Sequence, residues 1–200
     1  GTLILEDSEI NLTRNNYSDY EYPITAIYNK NGILTTNNNE ISIEETTETG
    51  LSNKKVSLAG ITNNGGTTTL TGDTITIKNG KNAYGIQTTS GSIAMQSGTI
   101  DVNSQTAYGI FIDNATVTLG IKDGSGLKTA DMSTSNPEVR AIGSTAGIGV
   151  KNNNGTFYFY DGKLIGNTYA KPETAQEIET GFEARYFLVH SDETITEVPF

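Results

Sequence analysis

Only a few side chains in this sequence have the types and spacing that catalysis requires, and they are carboxylates and one histidine. Two carboxylates on neighbouring strands can hydrolyse a glycosidic bond, one as the acid and the other as the base or nucleophile. Asp101 and Asp113 are the candidates for such a pair, but Asp101 is expected in a row of solvated polar side chains. His190 has no partner motif, and a lone histidine makes no site. The sequence therefore predicts no catalytic residue, no metal site and no cofactor.

Binding chemistry is suggested by three tyrosines near the N-terminus and by cations in other long connections. A tyrosine combines an apolar ring with a polar hydroxyl, so a cluster can stack on sugar rings or contact a protein. The same cluster equally suits covering the end of a repeat structure, which must be shielded. The candidate binding residues are Tyr17, Tyr20, Tyr22, Lys54, Lys55, Lys128 and Arg140.

These side chains are positioned by a repeat. The residues Ala-Tyr-Gly-Ile occur at 83–86 and again at 107–110, and apolar anchors recur about seven residues apart within this unit. Three anchors in a unit of about 24 residues predict three short strands per turn of a solenoid. Stacking of one turn on the next predicts two contacts within the motif: Tyr84 on Tyr108 and Ile86 on Ile110.

The last anchor of each unit is an alternating pair of apolar residues around one polar residue, as in Ile75-Thr76-Ile77. Alternation with a period of two places the apolar side chains inside and the polar side chain outside. Glycine or asparagine at the neighbouring turns supplies the positive φ that a sharp corner requires. The predicted stacking positions of the repeat are Ile27, Ile41, Ile61, Ile75, Ile86, Ile100 and Ile110.

The segment "FYFY" at residues 157–160 alternates phenylalanine with tyrosine. Alternation in a strand sends neighbouring side chains to opposite faces. We therefore expect Phe157 and Phe159 in the core and Tyr158 and Tyr160 outside, as packing residues and not as a binding site.

The period selects the fold. About 24 residues are too few for a four-stranded propeller blade, and the leucine and asparagine consensus of leucine-rich repeats is missing. An all-β parallel β-helix, or β-solenoid, of about five to six coils of ~24 residues fits residues 1–166. In the acidic remainder, residues 167–200, two β-like runs surround "HSDE", at Phe182–Val189 and Thr194–Val198. We expect them to form a β-hairpin that caps the last coil or begins the next module.

Composition limits the partners. The formal net charge is −10, so the chain lacks the cations that neutralise nucleic-acid phosphates or an anionic membrane. No cysteine is present, which excludes disulfides and thiolate metal sites. No apolar run reaches membrane-spanning length and no signal peptide opens the sequence. We therefore expect no nucleic acid, no membrane insertion of this segment and, for a secreted protein, a mature form or a fragment.

The segments "SGTIDV", "AYGI" and "FYDGKLIG" resemble repeats of large cell-surface proteins of Gram-positive bacteria, especially gut Firmicutes. Those repeats are single-stranded right-handed parallel β-helices within the broad pectin-lyase-like superfamily. The resemblance covers most of residues 1–185 and rests on short motifs. It implies a right-handed β-helix, an adhesin-like role and a position outside the cell or in the cell wall. It transfers no catalytic residue.

Long connections interrupt the repeat where the shortest turns use about five residues. We expect all of them to leave the same corner of the coil and to line one edge of the solenoid. Such an edge suits recognition, although corners also accept insertions at little cost in free energy. The long connections are residues 13–25, 44–58 and 122–140.

Three functions remain open. The favoured one is a non-enzymatic extracellular β-solenoid module of a bacterial surface protein, a stalk or an adhesion and ligand-binding module, monomeric as a fragment. Its partner is then an unknown protein or glycan at the cell surface. The first alternative is a polysaccharide lyase or hydrolase, or a carbohydrate-binding β-helix that uses the insertion edge. The second alternative is a segment of a phage tail spike, which assembles as trimers.

Overall fold

The structure is a computed structural model, and it describes residues 1–15, 22–46, 56–121, 137–169, 171, 173–174 and 178–199. Within these ranges the chain forms strands and no helix, and hence no helix long and apolar enough to cross a membrane. The strands are β1 (Thr2–Glu6), β2 (Glu9–Asn15), β3 (Ile24–Lys30), β4 (Ile33–Asn37), β5 (Glu40–Thr46), β6 (Ser57–Thr71), β7 (Asp73–Lys78), β8 (Asn82–Met95), β9 (Gly98–Ile112), β10 (Ala115–Leu119), β11 (Glu138–Asn152), β12 (Thr156–Gly166), β13 (Glu173–Thr174), β14 (Ile178–Val189) and β15 (Ile195–Val198).

All these strands belong to one 15-stranded sheet, and most of its pairs are parallel. The main path runs in the order β1-β4-β6-β8-β10-β12-β11-β9-β7-β5-β2. The further pair β8–β9 closes five strands, β8, β10, β12, β11 and β9, into a ring. The predicted all-β fold with a mostly parallel sheet is confirmed.

The parallel pairs align in three ladders. The first ladder joins β1, β4, the end of β6, the end of β8, β10 and the start of β12. The second ladder joins β2, β5, β7, the start of β9, the start of β11 and the end of β12. The third ladder joins β3 with the first parts of β6 and β8 and the last parts of β9 and β11. Each ladder pairs strands that lie far apart in sequence.

Several strands are longer than the three short strands per turn that the spacing predicts. β8 pairs with β9 through Asn82–Thr88 and with β10 through Gly91–Met95, so a single strand serves two ladders. Gly91, at a φ of 85°, lies where β8 passes from one ladder to the other. A glycine adopts this backbone conformation without the penalty that a Cβ imposes. The bend therefore leaves the strand unbroken, and the ring of five strands follows from such shared strands.

Apolar side chains stack inside the ladders in the way the repeat predicts. In the third ladder Ile27 pairs with Ile61, Ile61 with Ile86 and Ile86 with Ile110. In the second ladder Ile41, Ile75 and Ile100 lie in one register. All seven predicted stacking positions are buried in the single apolar core. Burial of about 1.5–3 kcal/mol per such side chain is the main stabilising term.

The glycine of the Ala-Tyr-Gly-Ile motif faces this core. A Cβ atom added to Gly60 lies 2.6 Å from Ile75 Cγ2 and 2.7 Å from the Gly85 carbonyl oxygen. A Cβ on Gly85 meets Ile100 and lies 2.6 Å from the Gly109 carbonyl oxygen. Gly60, Gly85 and Gly109 therefore form an inner column that leaves room for Ile75, Ile100 and Val139 of the second ladder.

Asparagine and glycine occupy the corners, as predicted. Between the first and second ladders a positive φ occurs at Asn38, at 53°, and at Gly72, at 72°. At this corner the buried carboxylate of Asp73 accepts four hydrogen bonds. At the corner between the third and first ladders the buried Asn29 donates to Asn63 Oδ1 at 2.9 Å. Polar side chains thus satisfy the backbone groups that the turns leave without a ladder partner.

The long connections do not share one corner, so that prediction is wrong. The first two separate β2 from β3 and β5 from β6, and so lie between the second and third ladders. The third separates β10 from β11 and lies between the first and second ladders. In the sequence Leu119 and Ile121 alternate like the apolar pair of a unit, directly before the third connection. The pair is instead Val139 and Ala141, which continue the columns of Ile100 and Val102.

The alternation in "FYFY" is confirmed for the phenylalanines and wrong for the last tyrosine. Phe157 and Phe159 are fully buried and their ring centroids lie 6.0 Å apart. Tyr160 is only 6% exposed. Its ring stacks on Tyr158 at 5.9 Å, and β12 changes register against β14 between Phe159 and Asp161. This register shift breaks the simple alternation.

The chain beyond residue 166 remains attached to the ladders. β14 pairs in parallel with β12, and β15 pairs antiparallel with β14 in the register Tyr186 to Val198 and Val189 to Ile195. The antiparallel pair is the hairpin expected around "HSDE". The division of the chain at residue 166 stays a prediction.

Candidate binding surface

Polar side chains form a row on the outer face of the second ladder. Asn11, Ser42, Thr76, Asp101 and Arg140 occupy equivalent positions in successive strands. All five side chains are exposed or partly exposed. The row therefore has the solvated character predicted for the polar members of the alternating pairs.

Arg140 lies on this row and not on a loop. Its Nη1 atom donates to Asp101 Oδ1 at 2.8 Å, across the pair of β9 and β11. Ion pairs with this much solvent contact contribute about 0–1 kcal/mol to stability. Arg140 is thus a surface cation with one carboxylate beside it.

The other predicted binding residues are only partly covered by the structure. Tyr22 is 71% exposed, and its carbonyl oxygen accepts a hydrogen bond from Arg14 Nη1 at 3.1 Å. A binding edge made of these tyrosines and cations stays a prediction. The residues outside the described ranges are Tyr17, Tyr20, Lys54, Lys55 and Lys128.

An open depression of about 300 Å³ lies beside the polar row. Apolar carbon atoms and amide, hydroxyl and charged groups both line it, and Asn79 Nδ2 donates to Glu44 Oε1 at 3.4 Å at its margin. Such a surface can form hydrogen bonds but holds no aromatic ring. The lining residues are Thr76, Ile77, Lys78, Asn79, Asp101 and Asn103.

The candidate carboxylates do not form a pair. Asp101 contacts Arg140 on the second ladder, whereas Asp113 follows the last part of β9 on the third. Asp113 Oδ1 accepts from Asn114 Nδ2 at 3.1 Å. His190 is exposed, with Nε2 2.8 Å from the Thr196 hydroxyl. Across the described ranges no group of three or more His, Asp or Glu side chains is arranged to hold a metal ion.

An aromatic cluster lies on the outer face of the third ladder. Tyr84 and Tyr108 stack with their ring centroids 5.1 Å apart and their planes 7° from parallel. This is the contact that the repeated motif predicts. The Phe111 ring stands almost perpendicular to both, at 5.6 Å from Tyr84 and 5.7 Å from Tyr108. Each ring is partly exposed.

The chain matches no known protein-family model, no curated protein and no solved structure. Its function is therefore inferred from its own side chains. Of the surfaces described above, the aromatic cluster differs most from the rest of the exterior, because outward positions on the ladders are mostly threonine, serine, asparagine and charged residues.

Sequence reasoning missed Phe111. It directly follows the buried Ile110. From Ile110 onward, strict alternation turns the Phe111 side chain outward. The structure pairs Phe111 with Gln87, on the same outer face as the pair of Tyr84 and Tyr108. Counting alternation from the motif tyrosine places Phe111 on the inner face; the consecutive buried residues Gly109 and Ile110 return it to the outer face.

Burial raises the pKa of the Tyr84 hydroxyl above its ordinary value of 10.0, and repulsion from the neighbouring Tyr108 raises this pKa further. A raised pKa means that the folded protein holds the phenolic proton more tightly than the unfolded chain does. The resulting stabilisation is complete below pH 10 and is lost as the pH rises from there through the pKa of the folded state.

We expect the free energy of unfolding to fall more steeply above pH 10 in the native chain than in Tyr84→Phe, which lacks this hydroxyl. Urea unfolding followed by circular dichroism, at intervals from about pH 9 to pH 11, measures both slopes. Equal slopes would show that Tyr84 ionises alike in the folded and unfolded chains.

Proposed function

We propose that this chain is a non-enzymatic extracellular β-solenoid, a module of a bacterial surface protein that acts as a stalk and presents a surface for adhesion. In this proposal residues 1–166 wind as a right-handed parallel β-helix and the hairpin of β14 and β15 covers its last coil. The observation that carries the proposal is the order in which the chain passes through the three ladders.

One pass is one passage of the chain through the first, second and third ladders, and the order of the ladders is the same in every pass. β1, β2 and β3 belong to the first, second and third ladders, and β4, β5 and the start of β6 repeat the sequence. Later passes continue it as far as β12. Neighbouring strands lie about 4.8 Å apart, so six passes from β1 to β12 extend for roughly 25 Å. The ring of five strands is compatible with this path, since β8, β9, β11 and β12 each contribute to two ladders.

Handedness follows from a general rule. Connections between parallel strands of one sheet are right-handed in about 98% of cases, because twisted strands pack back onto the sheet in that sense. Every pass here returns to a parallel partner in the same ladder. A right-handed winding is therefore the proposed one, in agreement with the resemblance to surface-protein repeats.

A stalk needs an architecture that can be lengthened without changing its core. Each pass pairs with the pass before it and the pass after it, which is the property that lets solenoids grow by repetition. The isoleucine columns continue through successive passes without a break. A net charge of −10 keeps such rods soluble and apart from one another.

The extracellular position is tested on intact cells of the source organism. Lys30 and Lys81 are exposed side chains, so we expect a membrane-impermeant amine reagent to label the protein before the cells are broken. A cytoplasmic protein in the same culture serves as the control and should be labelled only after lysis. Labelling of this chain only after lysis would refute the proposed location.

The alternatives are separated on the purified chain. A monomer has a mass of 21.4 kDa by light scattering, and a stable trimer would favour a tail-spike segment. Reducing ends or unsaturated uronates released from a panel of polysaccharides would favour an enzyme. Glycan binding without turnover is the role that the aromatic cluster supports.

A further inference from the structure

The outer face of the third ladder is the most unusual part of the exterior. Tyr84, Tyr108 and Phe111 place three aromatic rings in mutual contact on a ladder face whose other outward positions are mostly polar. The apolar core does not need these rings, because isoleucine and valine fill the interior of the same ladder. Mutual stacking contributes about 0.5–1.5 kcal/mol per ring pair but leaves part of each ring in water.

The three rings pack against one another in two orientations, so that the facing sides of the two tyrosines are covered and only the remaining ring surface is open to solvent. The planes of Tyr84 and Tyr108 differ by 7°, and Phe111 is inclined by 80° to the first and 78° to the second. The normal of the tyrosine planes therefore lies almost within the plane of the Phe111 ring. Phe111 extends along the direction in which the tyrosines stack, beside the column that they form.

Groups that form hydrogen bonds surround the rings. Gln87 pairs with Phe111 in the ladder register and with Thr62 on its other side. Farther along the same face Tyr28 is 56% exposed and accepts a hydrogen bond from Asn64 Nδ2 at 3.1 Å. The two tyrosine hydroxyls of the cluster add further donors and acceptors. The surface thus combines flat apolar rings with a polar margin.

We propose that this face binds a neutral polysaccharide, with pyranose rings packed against the solvent-exposed parts of Tyr84, Tyr108 and Phe111 and sugar hydroxyls bonded to the polar margin. A pyranose has an apolar face of C–H groups and a rim of hydroxyls, which matches rings with a polar margin. The net charge of −10 opposes anionic chains such as polyuronates.

The size of the cluster argues against a protein as the occupant. A stable protein interface buries about 800 Å² on each partner. Three aromatic side chains that are already partly buried against one another fall well below this, since a fully exposed ring buries about 150–250 Å². The charge of −10 on each copy also opposes self-association. A glycan needs only a few ring contacts and fits this area.

The test is a titration of the full 200-residue chain with cellohexaose, xylohexaose and mannohexaose as separate probes, followed by the aromatic ¹H–¹³C resonances. At least one probe is expected to shift the resonances of Tyr84, Tyr108 and Phe111 in a saturable way. Tyr108→Leu and Phe111→Leu keep an apolar side chain but remove the flat ring, and each is expected to weaken binding about ten-fold or more. Hexagalacturonate should bind less tightly than the neutral probe.

Tyr158→Leu is the matched control. Tyr158 is also an outward tyrosine in a stacked pair, but it lies on the first ladder, with Tyr160 at 5.9 Å. The Tyr158→Leu variant should bind the probe as the native chain does. The proposal is overturned by no shift up to about 10 mM of every probe, by equal loss in Tyr158→Leu, or by tighter binding of hexagalacturonate. A concentration-dependent dimer abolished by Phe111→Leu would also overturn it, in favour of a second copy.

The site and the surface-module proposal fail separately. Labelling on intact cells and a monomeric mass test the module without reference to any sugar. The titration tests the aromatic face whatever the position of the protein in the cell. Urea unfolding of each leucine variant establishes that a loss of binding is not a loss of fold.

Discussion

Gly85→Ala is expected to lower the free energy of unfolding by about 3 kcal/mol or more, the upper end of what overpacking costs in a filled core. The added Cβ collides with Ile100 of the second ladder and lies 2.6 Å from the Gly109 carbonyl oxygen. That oxygen lies between Tyr108 and Ile110, which both pair with β8, so it cannot retreat without disturbing the pairing of β8 with β9. Urea unfolding followed by circular dichroism measures the loss.

Gly149→Ala is the matched control for this prediction. Gly149 lies next to Gly109 in the same inner column, because a Cβ on Gly109 lies 2.5 Å from the Gly149 carbonyl oxygen. At Gly149 itself the nearest atoms are 3.5 Å away, and they belong to Ile165 and Leu164. An alanine fits there and reduces the freedom of the unfolded chain, so a change within about 1 kcal/mol is expected. Similar losses in both variants would contradict the steric explanation.

A double variant separates the two contacts that Gly85→Ala creates. Ile100→Ala removes the colliding side chain but leaves the Gly109 carbonyl oxygen in place. Gly85→Ala should therefore remain destabilising in the Ile100→Ala background, but by less than in the native chain. Full recovery would mean that the backbone contact is of no consequence.

The contrast between these glycines shows what the spacing of the motif can predict. Two copies of Ala-Tyr-Gly-Ile at a distance of 24 residues indicate equivalent places in successive passes, and Tyr84 does stack on Tyr108. Equivalent positions in the repeat indicate which residues of successive passes stack on each other. They do not tell what lies across the interior, and the glycine of the motif is required by the opposite side chain, Ile100 or Val139, and by the carbonyl oxygen of the next pass.

The pattern failed where a long insertion separated two parts of one pass. Leu119 and Ile121 alternate as the pairs of the second ladder do, and in the sequence the third long connection is counted from them. Leu119 belongs to β10, however, which pairs with β8 and β12 in the first ladder. Alternation of apolar and polar residues indicates that one face of a strand is buried. This alternation is the same in every ladder. Only the pairing partners distinguish the ladders, and these are far away in sequence.

The candidate site was the least predictable part for a similar reason. Clustering along the sequence drew attention to Tyr17, Tyr20 and Tyr22, whereas the aromatic cluster joins Tyr84 to residues from the next pass. Tyr108 and Phe111 reach it because the register of β8 on β9 fixes their positions. A surface built from several passes can be recognised in the sequence only when the repeat length is known with an accuracy of one residue.

The second large effect is expected at the corner between the first and second ladders, where the buried Asp73 organises the turn. Its Oδ1 accepts from the Asn39 backbone N–H at 2.9 Å and from Asn39 Nδ2 at 2.8 Å. Its Oδ2 accepts from the Thr36 hydroxyl at 2.7 Å and from the Thr71 N–H at 3.1 Å. Asn39 in turn donates to the Leu5 carbonyl oxygen at 3.0 Å, so the bonds continue to the preceding pass.

Asp73→Ala leaves these donors without an acceptor and is expected to cost about 3–5 kcal/mol, since each unsatisfied buried donor costs about 1–3 kcal/mol. The total is less than four full penalties, because the Thr36 hydroxyl already lies 3.3 Å from the Thr69 carbonyl oxygen and can turn to it. Asp73→Asn keeps the shape but sets an NH₂ group against one pair of donors, so an intermediate loss is expected. Asp113→Ala, at a partly exposed corner, should change stability by no more than about 0.5 kcal/mol.

The order of these losses tests the role of Asp73 more sharply than any single value. Urea unfolding should rank the variants Asp113→Ala, Asp73→Asn and Asp73→Ala from least to most destabilised. Hydrogen exchange should locate the damage. The amides of Asn39 and Thr71 lose their acceptor directly. The Ser8 amide donates to Asn39 Oδ1 at 3.0 Å, and this acceptor is no longer held in place when Asp73 is removed. Faster exchange spread evenly over all three ladders would mean that Asp73 contributes to general packing and not to the connection between successive corners.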